Sequence, residues 1–263
     1  MQVLTSPRNP LVKEVRKALL RGGLTAEGFC VAEGFHLLEE ALRSDCAISS
    51  IFVLESARPA VESHVKGLRQ IRVIALPDDL FQSMSSTETS QGVIALVRPP
   101  AWTLEQLFRG QSLVVVLDGV QDPGNSGTIV RSAEAFGATG VVFLKGSVNP
   151  YNPKCLRASA GSVFRVPLVT GLEERLLLAA LDQRQVETYA LAPGGKLDIS
   201  QCRFDKRCAL IVGSEGRGVG ERLRAKSIEV RIPTVAVESL NAATAAGIAL
   251  YEARWRRIAS EPV

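Results

Sequence analysis

An apolar run at residues 113–117 passes directly into a loop that contains Pro and Gly, and the loop passes into a helical pattern. The loop and the first helical turns read Asp118-Gly-Val-Gln-Asp-Pro-Gly-Asn-Ser-Gly-Thr-Ile-Val-Arg131. This order predicts a buried strand, a tight turn and a helix whose first turns carry Asn125 and Arg131. Backbone amides at the start of a helix attract anions, and an arginine one or two turns further on reaches the same point. The segment therefore predicts a site that holds a phosphate or an oxyanion near a reactive atom.

A second strand-to-loop segment is rich in glycine. The apolar run 209–212 leads into Gly213-Ser-Glu215-Gly216-Arg-Gly-Val-Gly220. Glycines in such a loop let the backbone approach a flat ligand and expose amide groups to it. The spacing matches neither the G-x-G-x-x-G loop of a Rossmann domain nor the G-K-[ST] ending of a P-loop. Taken alone, the pattern fits a tight structural turn as well as a ligand-binding loop.

A third segment joins a strand that ends at Ile232-Pro233 to a helix made largely of small residues. Ser239 and Asn241 lie where that helix begins, so each fits a helix cap as well as a functional site. The run 242–249 permits close helix packing, either in the core or in a subunit contact. Because parallel strands deliver the loops that follow them to one edge of the sheet, the three segments together are more specific than any one of them.

Strand and helix patterns alternate along the whole chain, which predicts an α/β fold with a mostly parallel sheet in its C-terminal part. We expect a small domain over residues 1–98, a linker over 99–111 and a second domain over 112–263. Predicted strands lie at 29–32, 51–54, 71–76, 91–97, 113–117, 140–144, 163–166, 186–191, 209–212 and 228–232, and predicted helices at 10–21, 35–42, 59–68, 126–136, 153–160, 172–183 and 238–257.

Composition narrows the class of protein. The chain has 263 residues, of which 46% are hydrophobic, enough for a sizeable core. No apolar run approaches the roughly 20 residues that span a bilayer, and the first residues lack a secretion signal, so we expect a cytoplasmic protein without a membrane partner. Five scattered cysteines without a C-x-x-C pair, and two histidines, give little support to a metal site. The net charge of +4 includes basic stretches at 1–23 and 145–165, which fit a polyanionic partner.

Read together, the three segments resemble the SpoU-type (TrmH-type) family of the SPOUT superfamily, the RNA ribose 2′-O-methyltransferases. The family's first motif is similar to Asn125-Ser-Gly-Thr-Ile-Val-Arg131, its second to Gly213-Ser-Glu215-Gly216, and its third to Ile232-Pro233 with Ser239-Leu240-Asn241. The chain departs from the family in Asn241-Ala-Ala, where Asn-Val-Ser is frequent, and in Ile232-Pro-Thr-Val, where Ile-Pro-Met-Gly is frequent. The N-terminal part resembles the family's L30-like RNA-binding domain in Asn9-Pro10, Val31-Ala-Glu33-Gly34 and Thr87-Glu-Thr-Ser-Gln-Gly92.

The resemblance implies a deep trefoil knot in the C-terminal domain, a homodimer formed through that domain, and active sites built across the subunit interface. It also implies S-adenosyl-L-methionine as the methyl donor. The residues implied to surround the donor are Gly213, Ile232 and Leu240, with Gly216 and Ala192 as further candidates; Gly194-Gly195, just beyond Ala192, fits plain turn glycines equally well.

The implied reaction moves a methyl group from a sulfonium to a ribose 2′-hydroxyl. Arg131 is the first candidate for a catalytic role, as a base or as a clamp on the developing alkoxide. A guanidinium is effectively always protonated, which favours the clamp. Asn125, Glu215, Ser239 and Asn241 are expected to fix Arg131 and the ribose by hydrogen bonds.

Ribosomal RNA is the expected substrate because the chain carries the L30-like domain, and tRNA is the alternative. Two other functions stay open. One is that of a catalytically inactive RNA-binding relative, which the intact motif residues disfavour, and the other is that of a nucleotide-dependent oxidoreductase, which the missing Rossmann loop disfavours. The candidate RNA contacts, each of which also fits a solvated helix face, are Lys13, Arg16, Lys17, Lys154 and Arg157.

Overall fold

The computed structural model describes residues 2–67 and 71–260. The chain forms two compact units, one made of Met1–Ala101 and Tyr151–Arg165 and the other of Trp102–Pro150 and Val166–Val263. A segment from the middle of the sequence therefore folds with the N-terminal unit. The predicted division into functional domains at 1–98, 99–111 and 112–263 stays a prediction.

The helices and strands follow one another in near alternation, in the following chain order. Residues 2–101 contain β1 (Gln2–Val3), α1 (Pro10–Arg21), β2 (Cys30–Glu33), α2 (Phe35–Arg43), β3 (Ala47–Val53), α3 (Arg58–His64), β4 (Arg72–Ala75), α4 (Asp78–Gln82) and β5 (Val93–Arg98). Residues 102–260 contain α5 (Leu104–Leu107), β6 (Leu113–Asp118), α6 (Pro123–Ala135), β7 (Gly140–Leu144), α7 (Pro153–Ser159), β8 (Leu168–Leu172), α8 (Glu174–Gln183), β9 (Glu187–Leu191), β10 (Leu197–Asp198), β11 (Cys208–Gly213), α9 (Glu221–Ala225), β12 (Ile228–Arg231) and α10 (Ala242–Ser260).

The first unit is built on a five-stranded mixed sheet with the order β1-β4-β3-β5-β2. β5 is antiparallel to β2 and β3, whereas β4 is parallel to β1 and β3. The helix α1 begins where predicted because the side chain of Asn9 accepts a hydrogen bond from the amide of Leu11 at 2.9 Å. It ends at Gly22, which takes the left-handed conformation (φ +61°) that stops a helix at little cost for glycine.

The second unit is built on a seven-stranded sheet with the order β10-β12-β9-β11-β6-β7-β8, in which every neighbouring pair is parallel. The predicted α/β fold with a mostly parallel sheet is therefore confirmed. Every residue of β6 is buried, as expected of a strand in a parallel sheet that is covered on both faces. β11 and β6 pair from Cys208 opposite Leu113 to Gly213 opposite Asp118. The loops that follow these two strands start side by side at the carboxyl edge of the sheet.

One predicted strand is wrong. Residues 163 and 164 belong to a single 3-10 turn, Ser162–Phe164, residues 165 and 166 follow it without regular structure, and the strand β8 begins only at Leu168. Gly161 reverses the chain after α7 with φ of +84°, and its carbonyl accepts a hydrogen bond from the amide of Phe164 at 3.0 Å. Residues 163, 164 and 166 are buried in the turn, so their apolar pattern imitates that of a buried strand.

Several other predicted boundaries shift. The last helix begins at Ala242 and not at 238, because Asn241 caps it through hydrogen bonds from the amides of Ala243 (2.9 Å) and Thr244 (3.2 Å). The stretch predicted as a linker contains α5, whose capping box is formed by Thr103 and Gln106. The helix predicted at 59–68 ends at His64, and position 68 lies outside the described residues.

The small-residue run 242–249 packs inside its own chain. Ala242, Ala243, Ala246 and Ala249 are buried, and α10 lies against α6. Small side chains let the two helices approach closely, so this face of α10 belongs to the core. Within the described residues, no helix is both long enough and apolar enough to cross a bilayer.

The C-terminal half of α10 is fixed by Arg257. Its guanidinium donates hydrogen bonds to the carbonyl oxygens of Phe204 (2.7 Å), Gln111 (2.5 Å), Ser112 (2.9 Å) and Lys206 (2.8 Å). Hydrogen bonds from a charged donor stabilise more than neutral ones do, and removing the donor takes four of them away together.

We expect Arg257→Ala to lower the free energy of unfolding by about 2 kcal/mol or more, because several hydrogen bonds from a charged donor to the backbone are lost together. Urea denaturation followed by circular dichroism measures the change. The matched control is Arg254→Ala on the same helix, whose side chain is exposed and makes no hydrogen bond within the described part of the chain. Equal stability of the two variants would show that the hydrogen bonds of Arg257 do not stabilise the fold.

Candidate active site

Three polar side chains from distant parts of the sequence meet at the carboxyl edge of the large sheet. The amide group of Asn125 donates to the carboxylate of Glu215, and the amide group of Asn241 donates to the side-chain oxygen of Asn125 at 3.0 Å. Asn241 also lies 3.5 Å from the same carboxylate oxygen of Glu215. The three predicted motifs are therefore connected by direct hydrogen bonds.

Two members of this cluster, Asn125 and Asn241, are positioned by the helices that carry them. Asp122 caps α6 and accepts a hydrogen bond from the backbone amide of Asn125 at 2.7 Å, which fixes Asn125 in the first turn. Asn241 caps α10 through its side-chain oxygen, which leaves its amide hydrogens for Asn125 and Glu215. The predicted helix cap is therefore confirmed, and the same side chain also takes part in the cluster.

A cleft of about 420 Å³ opens beside the cluster. Its walls come from the carboxyl ends of three neighbouring strands, β9, β11 and β12, and from the start of α10, which agrees with the usual position of ligands in parallel α/β sheets. The predicted donor-binding residues that line it are Ala192, Gly213, Ile232 and Leu240, together with the predicted catalytic residues Glu215, Ser239 and Asn241. Gly216 lies in a neighbouring cleft, because the loop turns back at Ser214 and Gly218 and carries Gly216 away at its tip.

Gly213 is required by packing. A Cβ atom at this position would lie 2.1 Å from the carbonyl carbon of Gly218 and 2.2 Å from the amide nitrogen of Val219, so only glycine lets the loop fold back on itself. The amide of Gly218 closes that loop with a 2.8 Å hydrogen bond to the carbonyl of Ser214. Gly195 is similar, since its Cβ would lie 2.6 Å from the backbone of Val230, whereas a Cβ at Gly194 would meet open space.

Arg131 stands apart from the cluster in this single chain. It lies on α6, six residues and nearly two turns after Asn125, its side chain is exposed, and it does not line the cleft. Within residues 2–67 and 71–260, it makes no hydrogen bond or ion pair. The structure thus brings together Asn125, Glu215 and Asn241, and it places Ser239 in the cleft wall.

Sequence reasoning missed several members of the cleft. Thr234, Glu238 and Ala245 line it, and all three lie in or just after the loop between β12 and α10. Asp118, the first residue of the loop pattern, has a structural task, because its carboxylate accepts a 2.7 Å hydrogen bond from the amide of Gly220 and so joins the two loops. The signal for this contact is the register that places Asp118 opposite Gly213, and it becomes visible only when the strand order is known.

The predicted RNA contacts all fall in the first unit. Lys13, Arg16 and Lys17 share one face of α1, and Lys154 and Arg157 lie on α7. A groove of about 570 Å³ is lined by Arg16, Lys154 and Arg157 with the hydroxyl groups of Ser83, Ser85 and Ser86.

The groove rests on the buried carboxylate of Glu33. This carboxylate accepts hydrogen bonds from the hydroxyl groups of Ser85, Ser86 (2.6 Å) and Thr87 (2.7 Å) and from the amide of Ser86 (2.8 Å). Burial alone raises the pKa of the Glu33 carboxyl, but these hydrogen bonds outweigh it and hold the pKa below its usual range. Arg157 donates to the hydroxyl of Ser86 at 2.6 Å and lies 4.0 Å from Glu33, so the same carboxylate orders the serine loop and the cation.

Comparison with known proteins agrees with this geometry. Residues 112–251 match the family model of the SpoU rRNA Methylase family, and residues 9–95 match the MRM3-like substrate binding domain. The chain is 33% identical to a 23S rRNA (guanosine(2553)-2′-O)-methyltransferase, RlmP, of Bacillus subtilis, over 97% of this chain and 100% of the relative. It is 31% identical to a 23S rRNA (guanosine-2′-O-)-methyltransferase, RlmB, of Ralstonia nicotianae, over 85% of this chain and 94% of the relative.

Solved structures show the same similarity. The SpoU methyltransferase AviRb from Streptomyces viridochromogenes, in complex with the cofactor AdoMet, superposes with a TM-score of 0.87 at 28% identity, over 97% of this chain and 100% of that one. An AdoMet-bound rRNA methyltransferase from Sinorhizobium meliloti superposes with a TM-score of 0.80 at 27% identity, over 97% of each chain. With three motifs joined at one sheet edge and matches that run along nearly the whole chain, the resemblance is confirmed, and the chain belongs to the SpoU rRNA methylase family.

Proposed function

We propose that this chain transfers the methyl group of S-adenosyl-L-methionine to a ribose 2′-hydroxyl of structured RNA, with 23S-type ribosomal RNA as the substrate. The observation that carries the proposal is the Asn125–Glu215–Asn241 cluster at the rim of the strand-end cleft. The names of the relatives in Bacillus and Ralstonia and the AdoMet-bound neighbours support the same reaction and donor.

The cleft fits the donor. Its volume of about 420 Å³ lies in the range of small-molecule sites, and its lining includes the apolar residues Leu191, Val212 and Leu240. Such walls suit a flat adenine ring, which Gly213 and Ile232 would contact through backbone atoms. When bound, the donor supplies a methyl group on a sulfonium, which is a good leaving group.

The protein's task is then to orient the acceptor and assist loss of its proton. In the transfer, a bond forms between the methyl carbon and the 2′-oxygen, the carbon–sulfur bond breaks, its electron pair stays on sulfur, and the hydroxyl proton is released to solvent. We assign Arg131 to the developing alkoxide, as an electrostatic clamp, and Ser239, Asn125 and Asn241 to hydrogen bonds that hold the ribose.

We also propose a homodimer formed through the second unit. One face of α10 exposes Ile248, Tyr251, Trp255 and Ile258, which recur at helical spacing, and a continuous apolar stripe of this kind favours a protein contact. The position of Arg131, exposed and outside its own chain's cleft, supports sites that combine the cleft of one subunit with the arginine of the other. A deep trefoil knot within 112–263 and a cytoplasmic location complete the proposal.

The function is tested by incubating the full-length protein with radiolabelled S-adenosyl-L-methionine and total RNA from cells that lack the gene. We expect label in the 23S fraction, and nucleoside mass spectrometry should identify a 2′-O-methylated nucleoside. Label in the tRNA fraction alone would mean that tRNA, and not ribosomal RNA, is the substrate. No transfer to any RNA, with RNA binding intact, would favour an idle relative, and calorimetric binding of NAD in place of S-adenosyl-L-methionine would favour an oxidoreductase.

We propose that the groove lined by Arg16, Lys154 and Arg157 binds the RNA backbone. We expect Arg157→Ala to weaken RNA binding about tenfold at low salt and to reduce the slope of log affinity against log salt by about one, because one phosphate contact is lost. Filter binding across a salt series measures both quantities. Lys66→Ala, which removes an exposed cation of the same unit outside the groove, should bind like the unmodified protein. An unchanged salt slope in Arg157→Ala would exclude the contact.

A further inference from the structure

A second cleft, of about 550 Å³, lies at the same edge of the large sheet as the donor cleft. It is formed by the loops that follow β6, β7 and β11, and it is lined by 119–122, Lys145, Gly146 and 214–217. Ser214 and Glu215 line both clefts. A ligand in the second cleft would therefore be separated from the donor only by the residues of one loop.

The charged groups of this second cleft differ in how they are used. Its two carboxylates already accept hydrogen bonds from the chain: Asp122 from the amide of Asn125 at 2.7 Å, and Glu215 from the side chain of Asn125. The cations are less engaged. Within the described residues, the guanidinium of Arg217 makes no hydrogen bond or ion pair, and Lys145 has one exposed partner, Glu173, at 3.9 Å.

The exposed side chain of Arg217 lies next to Gly119 in the cleft wall. A Cβ atom on Gly119 would lie 3.2 Å from a terminal nitrogen of its guanidinium, so this nitrogen packs against the Gly119 backbone. The loop that carries Arg217 is closed by the bridge between Ser214 and Gly218. Arg217 thus offers several hydrogen-bond donors at the cleft, and a guanidinium can bind phosphate in a bidentate way.

We propose that this second cleft seats the acceptor nucleotide of the RNA, with Arg217 and Lys145 binding the phosphates on either side of the reacting ribose. The inference rests on the proposed function and adds the place and the phosphate-binding residues of the acceptor. The physical reason is that the 2′-oxygen must come within about 3.5 Å of the methyl carbon, so the acceptor site has to adjoin the donor cleft. The cleft that shares Glu215 with the donor cleft satisfies this condition and offers cations to a polyanion.

The test compares Arg217→Ala, Arg217→Lys and Lys145→Ala in the full-length protein. Three quantities are measured: the Kd for S-adenosyl-L-methionine by calorimetry, the Kd for total RNA from cells lacking the gene by filter binding over a salt series, and methyl transfer to that RNA. Arg175→Ala is the matched control, since Arg175 is an exposed cation of the same unit and lines neither cleft.

We expect Arg217→Ala to weaken RNA binding about tenfold, to lower the salt slope by about one and to reduce transfer, while donor binding stays within about twofold. Arg217→Lys should recover only part of the affinity, because lysine keeps the positive charge but lacks the planar pair of hydrogen-bond donors of a guanidinium. Lys145→Ala should show the same pattern with a smaller effect. The control should match the unmodified protein.

Two results would overturn the inference: unchanged RNA affinity and salt slope in Arg217→Ala, or a loss of donor binding of more than about tenfold, which would assign the residue to the donor cleft. A separate result would refute the proposed function. If the unmodified protein binds RNA but transfers no methyl group to it, the reaction is refuted, whereas transfer that is insensitive to Arg217→Ala refutes the acceptor cleft alone.

Discussion

Gly213→Ala is expected to weaken binding of S-adenosyl-L-methionine by about 100-fold or more. The added methyl group would lie 2.1 Å from the carbonyl carbon of Gly218 and 2.4 Å from its oxygen, so backbone atoms must move. The atoms that move belong to the loop 213–218, which forms one wall of the donor cleft. Calorimetric titration of the variant with the donor measures the loss.

A matched glycine variant separates this local effect from a general one. Gly194→Ala changes another glycine near the cleft where a Cβ meets no atom within 4 Å, and it should bind the donor normally. Circular dichroism and thermal unfolding of both variants report whether the second unit keeps its fold. Normal donor binding by a folded Gly213→Ala variant would show that the loop does not shape the donor site.

Arg131→Ala is expected to lower methyl transfer by about 100- to 1000-fold, while donor affinity stays within a few-fold. Donor affinity should change little because Arg131 does not line the donor cleft of its own chain. Transfer should fall because the proposed partner of Arg131 is the alkoxide that develops during the reaction. Arg131→Lys should restore only part of the rate, because an ammonium lacks the planar fork. Single-turnover transfer and calorimetry measure the two quantities, and a variant that transfers normally would remove Arg131 from the reaction.

Mixing two inactive variants tests whether Arg131 acts across a subunit contact. A mixed dimer of Arg131→Ala and Gly213→Ala subunits contains one site with an intact cleft and an intact arginine if these come from different subunits. After denaturation and refolding of an equal mixture, about a quarter of the normal activity should return, since about half of the dimers are mixed and each has one of two sites. If the arginine served its own chain's cleft, the mixture would stay inactive.

Local sequence patterns predicted most of the strands and helices. The strand at 113–117 and the loops that begin at Asp118 and Gly213 were predicted correctly, because the residues next to each strand determine where it ends. The strand at 163–166 was wrong because burial in a 3-10 turn gives the same apolar pattern as burial in a sheet. Pattern reports burial, and it does not report hydrogen-bond partners.

The parts of the site that escaped prediction depend on contacts between distant residues. The steric need for Gly213 arises from Gly218 only after the loop turns back, and the second cleft with Arg217 exists only because β6, β7 and β11 are neighbours. Asn125, Glu215 and Asn241 were chosen by resemblance, whereas their mutual hydrogen bonds follow from strand order. Spacing along a chain does not encode that order.

The segment Tyr151–Arg165 constrains how this protein can be recombined with its relatives. Glu40, a buried acid of the N-terminal part, pairs with Arg165 in that segment, and Gly161 packs against Glu40 so closely that a Cβ would lie 2.5 Å from it. A buried acid that loses its cationic partner destabilises strongly. A chimera that exchanges residues 1–101 alone would place a foreign residue at position 40 opposite the native Arg165, so an exchange of the first unit has to include residues 151–165 as a second, separate insert.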